Sequence, residues 1–184
     1  INGCKGSLPK KDATVYAASA GTAARFLTAL LAFSDGTYVL DASEQMKKRP
    51  MAPLIDALRS IGISVTALEE EGHLPLRIQG GRAQLTGTPE LTVSIDKSSQ
   101  FLSALMMTGV LLTDGLTVTP VGSRTAMSYV HITERMMNEF GVAPIVSSKD
   151  NSGTVYRIPG GVSYKNQTYA LKFLNIRIYN DKEQ

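Results

Sequence analysis

Cysteine is nearly absent from this sequence: of 184 residues, only Cys4 is a cysteine. A disulfide within the chain is therefore impossible, which agrees with the reducing cytoplasm in which we expect the protein to lie. The histidines are equally scarce, and His73 and His131 have no metal-ligand spacing with Cys4. Zinc-binding proteins of the usual Cys/His type are therefore not indicated.

Long hydrophobic runs and strongly basic segments are also missing. The most apolar stretch, residues 23–33, is interrupted by Arg25 and Thr28 and is shorter than the roughly 18 residues that a membrane span needs. The net charge of +3 comes without a long Lys/Arg run or a basic–aromatic alternation. No phosphate loop of the G-x-x-x-x-G-K-[ST] type and no G-x-G-x-x-G after a strand occur. We therefore expect neither a membrane nor a nucleic acid as partner, and the mildly basic charge suits a small anion.

What the sequence does contain is an internal repeat. The stretches 25–31, 35–39 and 76–81 are answered in the same order by the stretches 100–106, 114–118 and 156–161. Similarity at a long, nearly constant period is the signature of a repeat architecture. The opening Ile1-Asn2-Gly3 resembles the end of an earlier copy, and the chain starts without methionine. We expect a piece of a longer repeat protein.

Each copy has the pattern strand, helix, strand, helix, strand, strand. We place the first repeat at 14–81 and the second at 91–161, within one partial domain that covers residues 1–184. No low-complexity linker divides the copies, so they should share one core. The tail, 162–184, diverges from the repeat, and the alternation at 174–179 is typical of a further strand.

The two predicted helices of each repeat differ in kind. The first helices, 23–33 and from Ser98 or Ser99 to Leu112, are apolar on nearly all sides and should be buried all round. The second helices are amphipathic. One should start at Pro50 and end at Gly62, and the other should place Tyr129, Ile132, Met136 and Phe140 on one face and end at Gly141. The predicted fold class is therefore α/β, with two βαβαββ repeats whose sheets lie outside the buried helices.

Three segments could bind an anion. Ser98, Ser99 and Gln100 stand at the start of a buried helix, where free N–H groups and the helix dipole attract negative charge. Arg49 lies directly before Pro50, and Gly21 stands at the equivalent helix start in the first repeat. The alternatives are a plain serine cap at Ser98, a solvated basic turn at Arg49 and close helix packing at Gly21.

The motifs AGTAARFL at 20–27, MKKRPM at 46–51 and SSQFLSALM at 98–106 resemble those of the EPSP synthase family, the 3-phosphoshikimate 1-carboxyvinyltransferases. The similarity covers about residues 1–169. It implies two domains, each of three βαβαββ units around buried helices, with the active site between them. The chain looks like the second and third units of one domain, part of an inside-out α/β barrel. It departs from the family pattern at Ser19, Gln45 and Ala126.

The resemblance also implies an activity: transfer of the enolpyruvyl group of phosphoenolpyruvate to shikimate 3-phosphate, in aromatic amino-acid biosynthesis, without a metal or organic cofactor. By motif, Ser98, Ser99, Gln100 and Tyr129 would bind shikimate 3-phosphate. Gly21, Arg49 and Gln100 would bind phosphoenolpyruvate. No catalytic residue is assigned within the chain, because the family's acid/base groups lie in segments that it lacks, including the second domain.

Two other interpretations stay open at this point. The chain could be a fragment of the related UDP-N-acetylglucosamine enolpyruvyl transferase, which shares the architecture. It could also be a non-catalytic repeat module that binds anions or a protein partner. In any of these cases we expect the isolated chain to be inactive.

Overall fold

The two copies of the sequence repeat form two similar sheets with helices between and beside them. The computed structural model describes residues 4, 6–123, 127–149 and 153–167. The first repeat consists of β1 (Asp12–Tyr16), α1 (Gly21–Ala32), β2 (Asp35–Asp41), α2 (Glu44–Lys47), α3 (Ala52–Ser60), β3 (Ser64–Ala67) and β4 (Leu76–Gly81). The second consists of β5 (Glu90–Ser94), α4 (Gln100–Gly109), β6 (Leu116–Val121), α5 (Met127–Glu139), β7 (Ile145–Lys149) and β8 (Gly153–Ile158).

Both sheets have the same topology. Their strand orders are β1-β2-β4-β3 and β5-β6-β8-β7, with the first pair parallel and the other two pairs antiparallel. A parallel pair requires a crossover, and α1 and α4 provide it. The expected α/β class and the two consecutive βαβαββ units are confirmed. The predicted strand in the tail lies outside the described residues.

The two crossover helices form the centre of the molecule, as their composition predicts. In α4 eight of the ten residues are buried, and the helix packs against α1. Neither helix has a wet face to turn outward, so sheets and amphipathic helices cover them. Helix α3 packs on β3 of its own sheet and also on β5 of the second sheet. The repeats therefore share one core.

The helix predicted to begin at Pro50 begins at Ala52, and the reason is a tertiary contact. The Met51 N–H donates to the carbonyl of Gly72 at 2.8 Å, so the backbone at Met51 is held outside the helix. Pro53 then occupies the first turn, where a proline costs no hydrogen bond. The predicted end is correct, since Gly62 follows the helix with φ +87°. A short helix, α2, precedes this turn and was not predicted.

The apolar face predicted for the second helix of this repeat is not the buried side of α5. Tyr129 is 65% exposed and Ile132 is 58% exposed, whereas Val130 and Met137 are buried. Val130 lies about 100° around the helix from Tyr129. Among the described elements α5 packs extensively only on α4. A hydrogen bond of 2.8 Å between the hydroxyls of Thr133 and Ser103 links the same two helices, so the α4 contact decides which side is buried.

Candidate functional site

The amino-terminal ends of the two central helices lie side by side. Gln100, the first residue of α4, reaches across to α1 with both ends of its amide. Its Oε1 accepts a hydrogen bond of 2.6 Å from Arg25 Nη1, and its Nε2 donates to Thr22 Oγ1 at 2.8 Å. Two helix starts, each with unpaired backbone N–H groups and a positive dipole end, therefore adjoin one another.

Gly21 lies at this junction, directly beneath two guanidinium groups. A Cβ atom at Gly21 would lie 2.8 Å from Arg49 Nη1 and 3.4 Å from Arg25 Nη1. Glycine is therefore the residue that leaves room for both arginines. The structure brings together Gly21, Arg49 and Gln100, which sequence analysis took from three separate motifs, and adds Arg25 to them.

Arg25 is the functional candidate that sequence analysis missed. Its side chain packs over the Phe101 ring at 5.3 Å, and its buried Nε atom has no hydrogen-bond partner. Burial, with Arg49 as a second cause, holds the pKa of Arg25 below its usual value. Among the ion pairs of the described residues none involves Arg25 or Arg49. Two neighbouring guanidinium groups thus lie together without an ion-pair partner in the described part of the chain.

The segment that leads into the Arg49 turn is held in place by hydrogen bonds of Ser43. Ser43 caps α2, because its hydroxyl accepts the N–H of Met46 at 3.4 Å. That hydroxyl also bonds Ser19 at 2.8 Å, and the Ser43 N–H donates to Ala18 at 3.0 Å. Ala18 has φ +49°, a conformation that costs a non-glycine residue roughly 1 kcal/mol or more. The loop before α1 and the turn before α3 are therefore tied to each other next to Gly21.

Ser98 and Ser99 stand at the start of α4 in different roles. The Ser98 hydroxyl accepts the N–H of Gln100 at 3.2 Å, which is a local capping bond. Ser99 is 4% exposed, and its hydroxyl makes no capping bond. The capping role weighed for these serines is therefore filled by Ser98, and the Ser99 hydroxyl is left for other contacts.

Tyr129 lies apart from this group. It is in the first turn of α5, and Thr133 Oγ1 donates to its carbonyl at 3.1 Å. Since Thr133 also bonds Ser103 of α4, Tyr129 is linked to α4 one turn beyond Gln100. In the described part of the chain no hydrogen bond joins Tyr129 to Ser98, Ser99 or Gln100. The position of Ala126, by contrast, lies outside the described residues.

This arrangement has the chemical groups that suit anion binding. Arginine pairs well with planar carboxylates and with phosphates, and helix starts add directed N–H groups. Within residues 4, 6–123, 127–149 and 153–167, no cluster of three His, Cys, Asp or Glu side chains could hold a metal ion. None of the helices in that part of the chain is long and apolar enough to cross a membrane.

Comparison with known proteins identifies close counterparts. A sequence model of EPSP synthase (3-phosphoshikimate 1-carboxyvinyltransferase) matches residues 1–171. The 3-phosphoshikimate 1-carboxyvinyltransferase of Cellvibrio japonicus is 38% identical over 165 residues, which cover 84% of this chain and 38% of that protein. The Vibrio cholerae enzyme of the same name is 40% identical over 152 residues, covering 82% and 34%.

A solved structure shows the same fold. The EPSP synthase of Acinetobacter baumannii superposes with a TM-score of 0.63 at 23% sequence identity. The match covers 83% of this chain but 32% of that one. The chain thus spans 32% to 38% of the length of these three proteins.

Proposed function

Because this chain belongs to the EPSP synthase family, we propose that it contributes part of the substrate site of a 3-phosphoshikimate 1-carboxyvinyltransferase. That reaction transfers the enolpyruvyl group of phosphoenolpyruvate to the 5-hydroxyl of shikimate 3-phosphate and releases phosphate. The observation that carries the proposal is the meeting of Arg25 and Arg49 above Gly21 and beside Gln100, with no ion pair to either arginine among the residues that the structure describes.

The guanidinium pair suits phosphoenolpyruvate, which carries both a carboxylate and a phosphate. Burial, and then the neighbouring charge of Arg49, lower the pKa of Arg25, and a multiply charged anion between the two cations would offset their repulsion. Arg49 is exposed and can meet the ligand from the solvent side, while Gly21, buried beneath the two guanidinium groups, places no side chain between them and the start of α1. We assign Gly21, Arg49 and Gln100 to phosphoenolpyruvate, and we add Arg25 to that group.

The start of α4 suits the phosphate of shikimate 3-phosphate. Ser98 and Ser99 offer hydroxyls beside the helix start, and Gln100 lies between them and the arginines. Tyr129, exposed on α5, offers a ring surface for the carbocycle. We assign Ser98, Ser99, Gln100 and Tyr129 to this substrate. The second domain of the enzyme is proposed as the partner that closes the site.

Binding by the chain alone should be weak, and turnover should be absent. A half-site that shares its ligand with water should give a dissociation constant of roughly 1 mM, about −4 kcal/mol. Catalysis needs interactions that are stronger in the transition state than in the ground state, in a site from which water is excluded. Here Arg49 and Tyr129 are open to solvent. Phosphate release from the two substrates should therefore stay at the uncatalysed rate.

The test is a titration of the ¹⁵N-labelled chain with phosphate, phosphoenolpyruvate and shikimate 3-phosphate. The amides of Gly21, Arg49, Ser99 and Gln100 should shift, and Arg49→Ala should weaken phosphoenolpyruvate binding about tenfold, the loss of one charge-assisted contact. Arg77→Ala is the matched control, because Arg77 is exposed on β4 and carries the same charge. Equal effects of the two variants, or unmoved site amides at high ligand concentration, would contradict the proposal.

The activity arm is separate. Phosphate release that the purified chain catalyses and that Arg49→Ala abolishes would show that the expectation of an inactive chain is wrong. A titration with a uridine nucleotide tests the alternative assignment, since the related UDP-N-acetylglucosamine enolpyruvyl transferases bind that nucleotide. Shifts at the same amides with the nucleotide, and none with shikimate 3-phosphate, would redirect the substrate assignment.

A further inference from the structure

Lys47 is surrounded by three carboxylates from three different segments. Its Nζ lies 3.1 Å from Glu69, 3.2 Å from Glu44 and 3.6 Å from Asp41. The Lys47 side chain is 17% exposed, so the ammonium group is drawn in among these partners and is not extended into solvent. The sequence had shown this lysine only as the first residue of the basic turn Lys47-Lys48-Arg49.

The three carboxylates connect the surroundings of that turn. Asp41 is the last residue of β2, Glu44 is the first residue of α2, and Glu69 belongs to the loop after β3. Lys47 is the last residue of α2, two positions before Arg49. The Arg49 N–H in turn donates to Met46 at 3.0 Å, and Met46 is fully buried near Gly21. The turn thus has a buried apolar contact on one side of Lys47 and the guanidinium on the other.

We propose that Lys47 is a positioning residue, which holds the turn at 47–51 so that Arg49 lies over Gly21. Its importance for substrate rests on the proposed function, because Arg49 is assigned there to phosphoenolpyruvate. Lys47 itself is not expected to touch the ligand, since its ammonium group is already occupied by three carboxylates.

A second consequence of the cluster is electrostatic. Asp41, Glu44 and Glu69 each have Lys47 as a partner, while Arg25 and Arg49 have no carboxylate partner among the described ion pairs. The hydrogen bonds that Lys47 donates to Glu69 and then to Glu44 raise the pKa of Lys47 above its usual value, so the lysine remains protonated well above neutral pH. The ion pairs of Lys47 are therefore not lost through deprotonation of the lysine at any ordinary pH.

The chain offers matched controls. Lys48 is exposed, has no ion pair among those described, and carries the same charge one residue closer to Arg49. Lys48→Met therefore removes an equal charge without disturbing the cluster. Arg59 pairs with Glu71 at 2.6 Å, in the same loop that contributes Glu69, so Arg59→Met removes a contact of that loop but none of the Lys47 contacts. Lys47→Arg keeps the charge and most of the length.

The experiment compares the wild type with Lys47→Met, Lys47→Arg, Lys48→Met and Arg59→Met. The first measurement is the heteronuclear ¹⁵N–¹H NOE of the Lys48 and Arg49 amides, without any ligand. We expect it to fall clearly in Lys47→Met, to stay at the wild-type value in Lys48→Met and Arg59→Met, and to recover in Lys47→Arg. The second measurement is titration with inorganic phosphate, where the dissociation constant should rise several-fold in Lys47→Met only.

The outcomes separate this inference from the proposed function. A lowered NOE in Lys47→Met without phosphate binding in any variant would support the positioning role and count against the assigned substrate site. Unchanged NOE values at Lys48 and Arg49 in a folded Lys47→Met protein would overturn the positioning role. So would an equal loss of phosphate affinity in Lys48→Met, because the effect would then be one of charge alone.

Discussion

Replacing Gly21 with alanine tests the geometry of the site directly. The added Cβ would lie 2.8 Å from Arg49 Nη1, closer than carbon and nitrogen atoms approach without a hydrogen bond. The nearest atom belongs to the end of a flexible side chain, so Arg49 must move and the backbone need not. The next contacts, Arg25 Nη1 at 3.4 Å and Met46 Sδ at 3.7 Å, are ordinary distances.

The effects on stability and on binding should therefore have opposite signs. Gly21 has no positive φ and begins α1, so alanine fits the backbone there. Such a replacement stabilises a protein by up to about 1 kcal/mol, mainly because it restricts the unfolded chain. Displacement of Arg49 forfeits a charge-assisted contact with the anion, worth about 1.5 to 3 kcal/mol. That loss corresponds to a fall in affinity of about tenfold to 150-fold.

The assay is a double-mutant cycle. Urea unfolding gives the stability of each variant, and phosphoenolpyruvate titration gives its affinity. If the alanine acts through Arg49, then Gly21→Ala should have no further effect on affinity in an Arg49→Ala background. Additive losses would mean that Gly21 contacts the ligand independently of Arg49. A Gly21→Ala protein that binds as tightly as the wild type would refute the reasoning altogether.

Two further predictions concern stability. Glu134 Oε1 is buried without a hydrogen-bond partner, while Glu134 Oε2 bonds His131 at 3.0 Å. In the other repeat the equivalent position, seven residues before the glycine that ends the helix, is the fully buried Ile55. Glu134→Leu should therefore stabilise the chain by about 1 kcal/mol in urea unfolding, and a destabilised variant would show that the carboxylate has a partner. Tyr164 donates its hydroxyl to Met107 at 2.9 Å, and burial raises the pKa of Tyr164 to about 12. The difference in free energy of unfolding between the wild type and Tyr164→Phe should be largest below pH 10. It should shrink between about pH 10 and 12, because the tyrosine of the unfolded chain ionises first, near pH 10. A difference that stays constant over that range would contradict the prediction.

The overall fold was accessible from sequence because its main signal is repeated. α4 is apolar on every side, and no arrangement other than burial between layers satisfies such a helix. The start of α3 was less accessible. Pro50 is a reasonable local start signal, but the contact of Met51 with Gly72, 21 positions away in the chain, shifts the start by two residues. Helix-start signals that are read from neighbouring residues cannot include a contact between positions so far apart in the chain.

The site was predicted only in part, and the omission of Arg25 has a physical reason. Gly21, Arg49 and Gln100 were found because glycine, pre-proline arginine and helix-start residues are recognisable locally. Arg25 lies inside an apolar helix, where it was used only to exclude a membrane span. The usable signal was its isolation: a charge in an otherwise apolar helix needs a partner or a function. The structure shows that it meets Gln100 and Phe101, both from the other repeat.

Helix α5 shows what periodicity can and cannot decide. The spacing of Tyr129, Ile132 and Met136 correctly indicates that these residues share a face of a helix. In the first repeat, the corresponding helix α3 packs on its own sheet and also on β5 of the following repeat. For α5, the part of the chain that the structure describes provides α4 as the main neighbour, and Val130 and Met137 fill that contact. Tyr129 and Ile132 of the apolar stripe therefore remain exposed. Repetition preserves the backbone of a unit, but each copy has different neighbours, and those neighbours decide whether an apolar stripe becomes core or surface.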